Sequence, residues 1–224
     1  MTSDSYHLLE LRIAKDPSDP RRNMPSILEA DRAILDVGCG AGQTLIASHL
    51  PAGVLAAGVD TDKSALSLGR GLNKGIRLIC AKGECLPFQA EYFDLVFSRV
   101  AVPYMDIHRA LSEMFRVLKV GGRLWIVLHP WSRIARDLVT SCRELNVRGI
   151  VSRLIVIGNG LVLNLTDRTL PLPFSHGRTE SFQTRRAITR LLRRIGFEDV
   201  KIEQTKFFTV TARKASPQSV EGTR

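Results

Sequence analysis

Ala33-Ile34-Leu35-Asp36-Val37-Gly38-Cys39-Gly40-Ala41-Gly42 is the stretch on which the reading of this chain turns. Ala33 to Val37 is a short apolar run, interrupted by Asp36 and stopped by Gly38, the pattern of a buried strand. The glycines that follow let the backbone take positive φ or approach a ligand closely. Three of them at G-x-G-x-G spacing exceed what one tight turn needs. The spacing also differs from the G-x-G-x-x-G of dinucleotide folds, and an acid stands two residues before the first glycine. Asp36 has two uses there: to order the loop through backbone N–H groups, or to hold a cationic ligand group directly or through water.

Outward from this loop, strands and helices alternate. Helices are expected at Leu45–Leu50, Lys63–Gly71 and Ile107–Leu118, the last ended by Gly121-Gly122. Strands are expected at Val54–Val59, Ile76–Cys80, Phe93–Ser98 and Arg123–Leu128. Such alternation implies βαβ units and a parallel sheet covered on both faces. Ligands of these sheets bind at the carboxyl ends of the strands, which here carry Asp36, Asp60, the 81–86 loop, Ser98-Arg99 and His129. Asp60 closes the second strand, where an acid can accept two hydrogen bonds from a ribose diol. Its other reading is an N-cap for the next helix, a task open to Thr61 or Asp62 as well.

Residues 34–128 resemble the core of a class I S-adenosylmethionine-dependent methyltransferase, of the small-molecule type with a D-V-G-C-G-x-G first motif. The likeness is carried by Ile34–Gly42, Val59-Asp60, Glu84-Cys85-Leu86-Pro87-Phe88, Phe93-Asp94-Leu95-Val96 and Glu113–Gly122, in the family's order and spacing. It implies an α/β doubly wound, mostly parallel seven-stranded sheet whose last strand inserts antiparallel. It implies S-adenosylmethionine as cofactor and S-adenosylhomocysteine as product. In the family Asp36, Gly38, Cys39 and Gly40 match the loop around the methionine part. Asp60, with Thr61 beside it, matches the acid on the ribose hydroxyls. Glu84 and Cys85 lie in the segment flanking adenine, and Ser98 matches a position lining the methionine side. Two positions depart from the family: Lys82 stands where an acid often sits, and Val120 replaces the usual Pro before Gly-Gly.

Methyl transfer from a sulfonium is an in-line displacement, aided most by holding the nucleophile aligned with the methyl carbon. A general base is needed only for a nucleophile with a high-pKa proton. His129, directly after the fifth strand, is the best-placed base, with a hydrogen-bonded structural role before Pro130 as its other reading. Tyr104 and Arg99 are candidates for orienting the acceptor, and His176 and Glu180 for closing over it. His108, at a helix start, is read as exposed and inert. No metal set is visible. The sequence after the fourth strand, Ser98-Arg99-Val100-Ala101-Val102-Pro103-Tyr104, lacks the N-P-P-Y signature of amino-group nucleic-acid methyltransferases. A small-molecule acceptor, apolar or acidic, is therefore expected over RNA or protein.

The flanks are read more loosely. Residues 1–30 form an approach segment with a short helix at Tyr6–Ala14. Residues 31–214 form the domain, and the tail from 215 to 224 is polar and frayed. An insertion, 131–183, interrupts the alternation. Trp131, Ile134, Leu138, Cys142 and Leu145 recur at helical spacing. Leu154–Ile157 and Leu161–Leu165 flank Gly158-Asn159-Gly160, a hairpin signal. The insertion thus reads as a helix-plus-hairpin cap over a hydrophobic pocket, followed by a loop over 166–183. A last helix is capped by Thr184 and ended by Gly196, with strands at Phe197–Gln204 and Lys206–Arg213.

Composition sets the boundaries. With 224 residues and 44% hydrophobic side chains, the chain can bury a core without disulfides. Its four cysteines form no C-x-x-C pair, which disfavours disulfides or zinc and points to a reducing, cytoplasmic setting. The near-apolar run Leu154–Leu165 is too short to span a bilayer, and the N-terminus has no secretory pattern. A monomer or homodimer is expected. The net charge of +10 is uneven: residues 131–224 carry 17 basic and 8 acidic side chains. Most arginines of the last helix are read as a solvated surface. Arg133, Arg136 and Arg178, near the cap, are the ones read as candidates to face an acidic acceptor.

Overall fold

The computed structural model describes residues 3–129, 131–166 and 180–216. In chain order the elements are α1 (Ser3–Lys15), β1 (Ala33–Val37), α2 (Gln43–Ala47), β2 (Leu55–Asp60), α3 (Lys63–Leu72), β3 (Arg77–Cys80) and β4 (Phe93–Arg99). After a 3-10 turn (Val102–Tyr104) come α4 (Ile107–Val117), β5 (Leu118–Leu128), α5 (Trp131–Arg143), α6 (Val147–Thr166), α7 (Arg185–Ile195), β6 (Phe197–Gln204) and β7 (Phe208–Lys214). The strands form one sheet in the order β3-β2-β1-β4-β5-β7-β6. β7 runs antiparallel to both neighbours, and all other pairings are parallel.

β1 is buried at every residue because both faces of the sheet are covered. Alternate side chains feed two cores. Leu35 and Val37 join the core under α4 and α7. Ile34 joins the one that includes Leu45 of α2 and Leu66 of α3. The helices start at real caps: Asp62 accepts from the Ser64 and Ala65 amides, Asp106 from Arg109, and Thr184 from Ala187. Gly196 ends α7 at φ 113°. Gly121-Gly122 does not end α4. The helix stops at Leu118, already extended, and the glycines lie inside a longer β5, where its register against β4 shifts.

The cap differs more. The segment expected to be a hairpin is the single helix α6. Val156, Asn159, Gly160 and Leu163 face inward at helical spacing. Gly160 is small because Phe182 lies on it: a Cβ there would fall 2.1 Å from the ring. Asn159 donates to the Glu180 carbonyl, which uses its polar side chain within the helix. α6 is also 20 residues long, with mean hydropathy 1.5, enough by length and composition to cross a bilayer. The near-apolar run Leu154–Leu165 is only part of this helix. The cap core is Ile134 of α5, Val156 and Phe182. His176, Arg178 and residues 217–224 of the tail lie outside the described residues, as does the Arg133 side chain.

Candidate active site

The loop after β1 is built for close approach. Gly38, Gly40 and Gly42 all lie at positive φ, at 77°, 56° and 74°. A Cβ on Gly38 would fall 2.1 Å from the Ala101 Cβ, so only glycine lets the loops after β1 and β4 meet. Val100, between β4 and Ala101, is itself at φ 69°. This is a costly conformation for a β-branched residue, held by the hydrogen bond that its N–H donates to the Val127 carbonyl.

Asp36, at the end of this strand, is buried, and its Oδ1 has no hydrogen-bond partner among the described residues. Burial pushes its carboxyl up to about 8, against the pull of the Arg99 guanidinium and with a small push from Asp60. The neighbouring Cys39 thiol is raised further by burial. It packs against Gly58 rather than facing the cleft. Cys39 contributes backbone to the site, while its side chain belongs to the core.

Asp36 opens into a cleft of about 590 Å³ at the carboxyl ends of β1, β2 and β4. On one side Asp60 accepts from the Gly40 amide at 2.7 Å and the Asp62 amide at 2.9 Å. Of the three residues open to the N-cap of α3, Asp62 takes it. Each Asp60 oxygen keeps lone-pair capacity toward the cleft, beside Thr61. Glu84 lines the far side, its carboxylate accepting from the Asp106 amide. The 84–88 loop is pinned from α4. Glu113 accepts from the Leu86 amide, and Arg116 bonds Glu113 and the Leu86 and Phe88 carbonyls. This pairing holds the Glu113 carboxyl below its ordinary value, the Arg116 hydrogen bond being the largest cause.

The fourth wall is α1, within the segment expected only to lead into the domain. His7 is buried and meets Gln43 Nε2 at 2.7 Å. Glu10 accepts from Arg99 at 2.7 Å. Arg99 therefore braces α1 and faces Asp36, and it does not line the acceptor cavity described next.

That second cavity, about 630 Å³, lies under α5 and α6. Tyr104 lines both spaces. His129 is buried at its floor, its ring edge-on to Tyr104 at 5.2 Å between centroids. The walls are polar rather than hydrophobic. Arg153 pairs with Glu180 at 3.1 Å and lies 3.8 Å from Asp137, and Arg148, Ser141 and Asn146 stand nearby. The arginines facing this space are thus Arg148 and Arg153; Arg136 does not line it.

Two further expected residues fall elsewhere. Ser98 is fully buried and donates to the Val37 carbonyl, tying β4 to β1 behind the site. Cys85 is exposed and outside the cleft. None of the α7 arginines lines either cavity.

Residues 35–126 match a family described as "Methyltransferase domain". An uncharacterized methyltransferase YcgJ of Bacillus subtilis is 34% identical over 45% of this chain and 42% of its own length. A ubiquinone/menaquinone biosynthesis C-methyltransferase of Vibrio parahaemolyticus is 34% identical over 45% of each chain. The chain thus spans less than half the length of these curated relatives. A Thermotoga maritima structure titled a SAM-dependent methyltransferase, possible histamine N-methyltransferase, superposes over 95% of this chain and 91% of its own. Its TM-score is 0.58 at 17% identity, a likeness of fold. Residues 35–126 are thus similar to a methyltransferase domain, and the strand order is that of the S-adenosylmethionine-dependent methyltransferase fold.

Proposed function

We propose that the chain transfers a methyl group from S-adenosylmethionine to a small polar molecule held between Tyr104, His129 and the arginines of α6. The observation that carries this reading is the junction at Tyr104: one side chain lines both the glycine-loop cleft and the cavity under the cap. A methyl donor in the first and an acceptor in the second would meet there, and alignment is the main requirement of the displacement.

The residues present fit the cofactor. The unpartnered oxygen of Asp36 suits a cationic group, and the spare lone pairs of Asp60 suit a vicinal diol. When bound, S-adenosylmethionine supplies an electrophilic methyl on a sulfonium. Tyr104 and the ion-paired Arg153 orient the acceptor, and Arg148 offers a guanidinium to a carboxylate. The His129 imidazole takes the acceptor's proton where the nucleophile carries one. α5 and α6 limit water. A relative named for ubiquinone and menaquinone biosynthesis supports a small acceptor over a macromolecule. Four free thiols support a reducing, cytoplasmic setting.

Titration calorimetry with S-adenosylmethionine tests the first half: no heat from folded protein sinks it, and Asp60→Ala should weaken binding at least tenfold. Incubation with methyl-labelled donor and either a small-molecule extract or total RNA tests the second. Label is expected in the small-molecule fraction, and label in RNA alone overturns the acceptor class. His129→Asn should cut turnover by about a hundredfold while cofactor affinity stays within twofold.

A further inference from the structure

α6 is apolar on the side that faces away from the protein. Its inner stripe, Val156, Asn159, Gly160 and Leu163, is buried. On the opposite side Val147, Val151, Leu154, Leu161 and Leu165 share one helix face at steps of three, four or seven residues, and all are exposed, Leu165 at 84% and Val147 at 71%. Gly158, on the same side, meets no neighbour. A solvent-facing helix surface ordinarily carries charge. One made of valine and leucine along the whole helix marks something that covers it. Exposed Leu145, in the turn before α6, and Val139 of α5 extend the apolar surface.

The charges carried by α6 and α7 have one sign, while Glu144 is exposed beside Leu145. α6 carries Arg148 and Arg153 and no carboxylate, and α7 carries five arginines and no carboxylate. The two helices meet at Asn164, whose backbone carbonyl accepts from Arg190 and whose side chain meets the Thr184 hydroxyl. Arg185, Arg186, Arg193 and Arg194 are exposed on the outer face of α7. An apolar helix face next to a dense guanidinium face is a two-signal surface for a bilayer with anionic headgroups. Long arginines flanking the stripe can reach headgroups while the aliphatic side chains enter the acyl boundary. A second copy of the chain would set arginine against arginine, and RNA would leave the stripe uncovered.

We infer that α6 lies flat on an anionic membrane surface, its outer stripe inserted and the α7 arginines on the headgroups. The inner stripe packed on Ile134 and Phe182 holds the helix against the protein, as an interfacial rather than a spanning segment.

The test is co-sedimentation of the full chain with vesicles of phosphatidylcholine alone or with phosphatidylglycerol added. Binding should be at least tenfold tighter to the anionic vesicles and should weaken steeply with salt. Leu154→Gln with Leu161→Gln should lower it at least tenfold, with unchanged circular dichroism and S-adenosylmethionine affinity. Should that pair misfold, Val147→Gln at the exposed helix end gives a smaller loss in the same direction. Arg186→Gln with Arg193→Gln should remove the preference for anionic lipid. The inference is overturned by equal binding to both vesicle types, by retained binding in the folded leucine variant, or by its conversion of a dimer to a monomer without change in vesicle binding. RNA binding by the arginine face without vesicle binding overturns it too.

Discussion

Asp36 sits where burial makes an ionised carboxylate hard to keep, the Arg99 guanidinium that faces it being engaged by Glu10. Burial raises it to about 8 in the folded chain, against about 3.9 when unfolded. The folded form holds the proton more tightly, so this group's contribution to stability is full below about pH 4 and is lost as pH rises toward 8. A cationic ligand favours the carboxylate instead. Affinity for S-adenosylmethionine should therefore climb with pH up to about 8, with proton release seen by calorimetry in buffers of different ionisation enthalpy. Asp36→Asn should abolish that release, and a flat profile in the parent chain would sink the assignment. Val100 makes a second prediction. Its positive φ costs about 1–3 kcal/mol and glycine pays less for it, so Val100→Gly should raise stability to denaturant by about 1 kcal/mol. A loss would mean that its packing against the α2–α3 core matters more. Asp36 and Asp60 were legible in the sequence because an apolar run stopped by glycine or followed by a cap locates a strand end. Ser98 and Arg99 were not, because adjacent residues of a strand point to opposite faces and a one-residue error reverses which one meets the ligand.

Elements differ in how firmly sequence specifies them. β1 to β4 and α3 follow their patterns to within a residue or so at each end, and β1 to β3 and α3 are bounded by a cap or a glycine. α6 does not. Two glycines and an asparagine between apolar runs are as consistent with a turn as with a helix, and only the partner decides. Here the partner is Phe182, which lies outside the helix and is far from it in sequence. The two glycines should consequently respond in opposite ways. Gly158→Ala adds a methyl in open space and should stabilise by about 1 kcal/mol through helix propensity. Gly160→Ala drives a methyl into the Phe182 ring and should destabilise by about 1–3 kcal/mol. Thermal denaturation of the pair reads both signs, and equal shifts would mean that Phe182 does not hold the helix. α4 gives a pH signature. Its Glu113 is depressed by Arg116, so the stability it adds is present above the unfolded carboxylate value near 4.3 and is lost as pH falls through the lower folded value. Glu113→Gln should flatten that acid limb of the stability curve.

Across the molecule the charge divides as the fold does. The near-neutral segment up to residue 130 makes the nucleotide-type core, and the basic remainder makes the cap, α7 and the closing strands. That division was visible from the sequence. The cavity under the cap was not, because which side of a helix faces a cavity depends on what it packs against, as Arg148 and Arg153 show. The place of β7 has a consequence for synthesis. The final strand lies between β5 and β6, burying Phe208, Val210 and Ala212. A nascent chain that has emerged only as far as β6 has nowhere to dock it, and β5 presents an apolar unpaired edge. The sheet closes only when β7 leaves the ribosome and slides between two others, so the nascent chain is at its stickiest just before β7 emerges. A chain ended after Gln204 should accumulate in the insoluble fraction even though its glycine loop, Asp36 and Asp60 are all present.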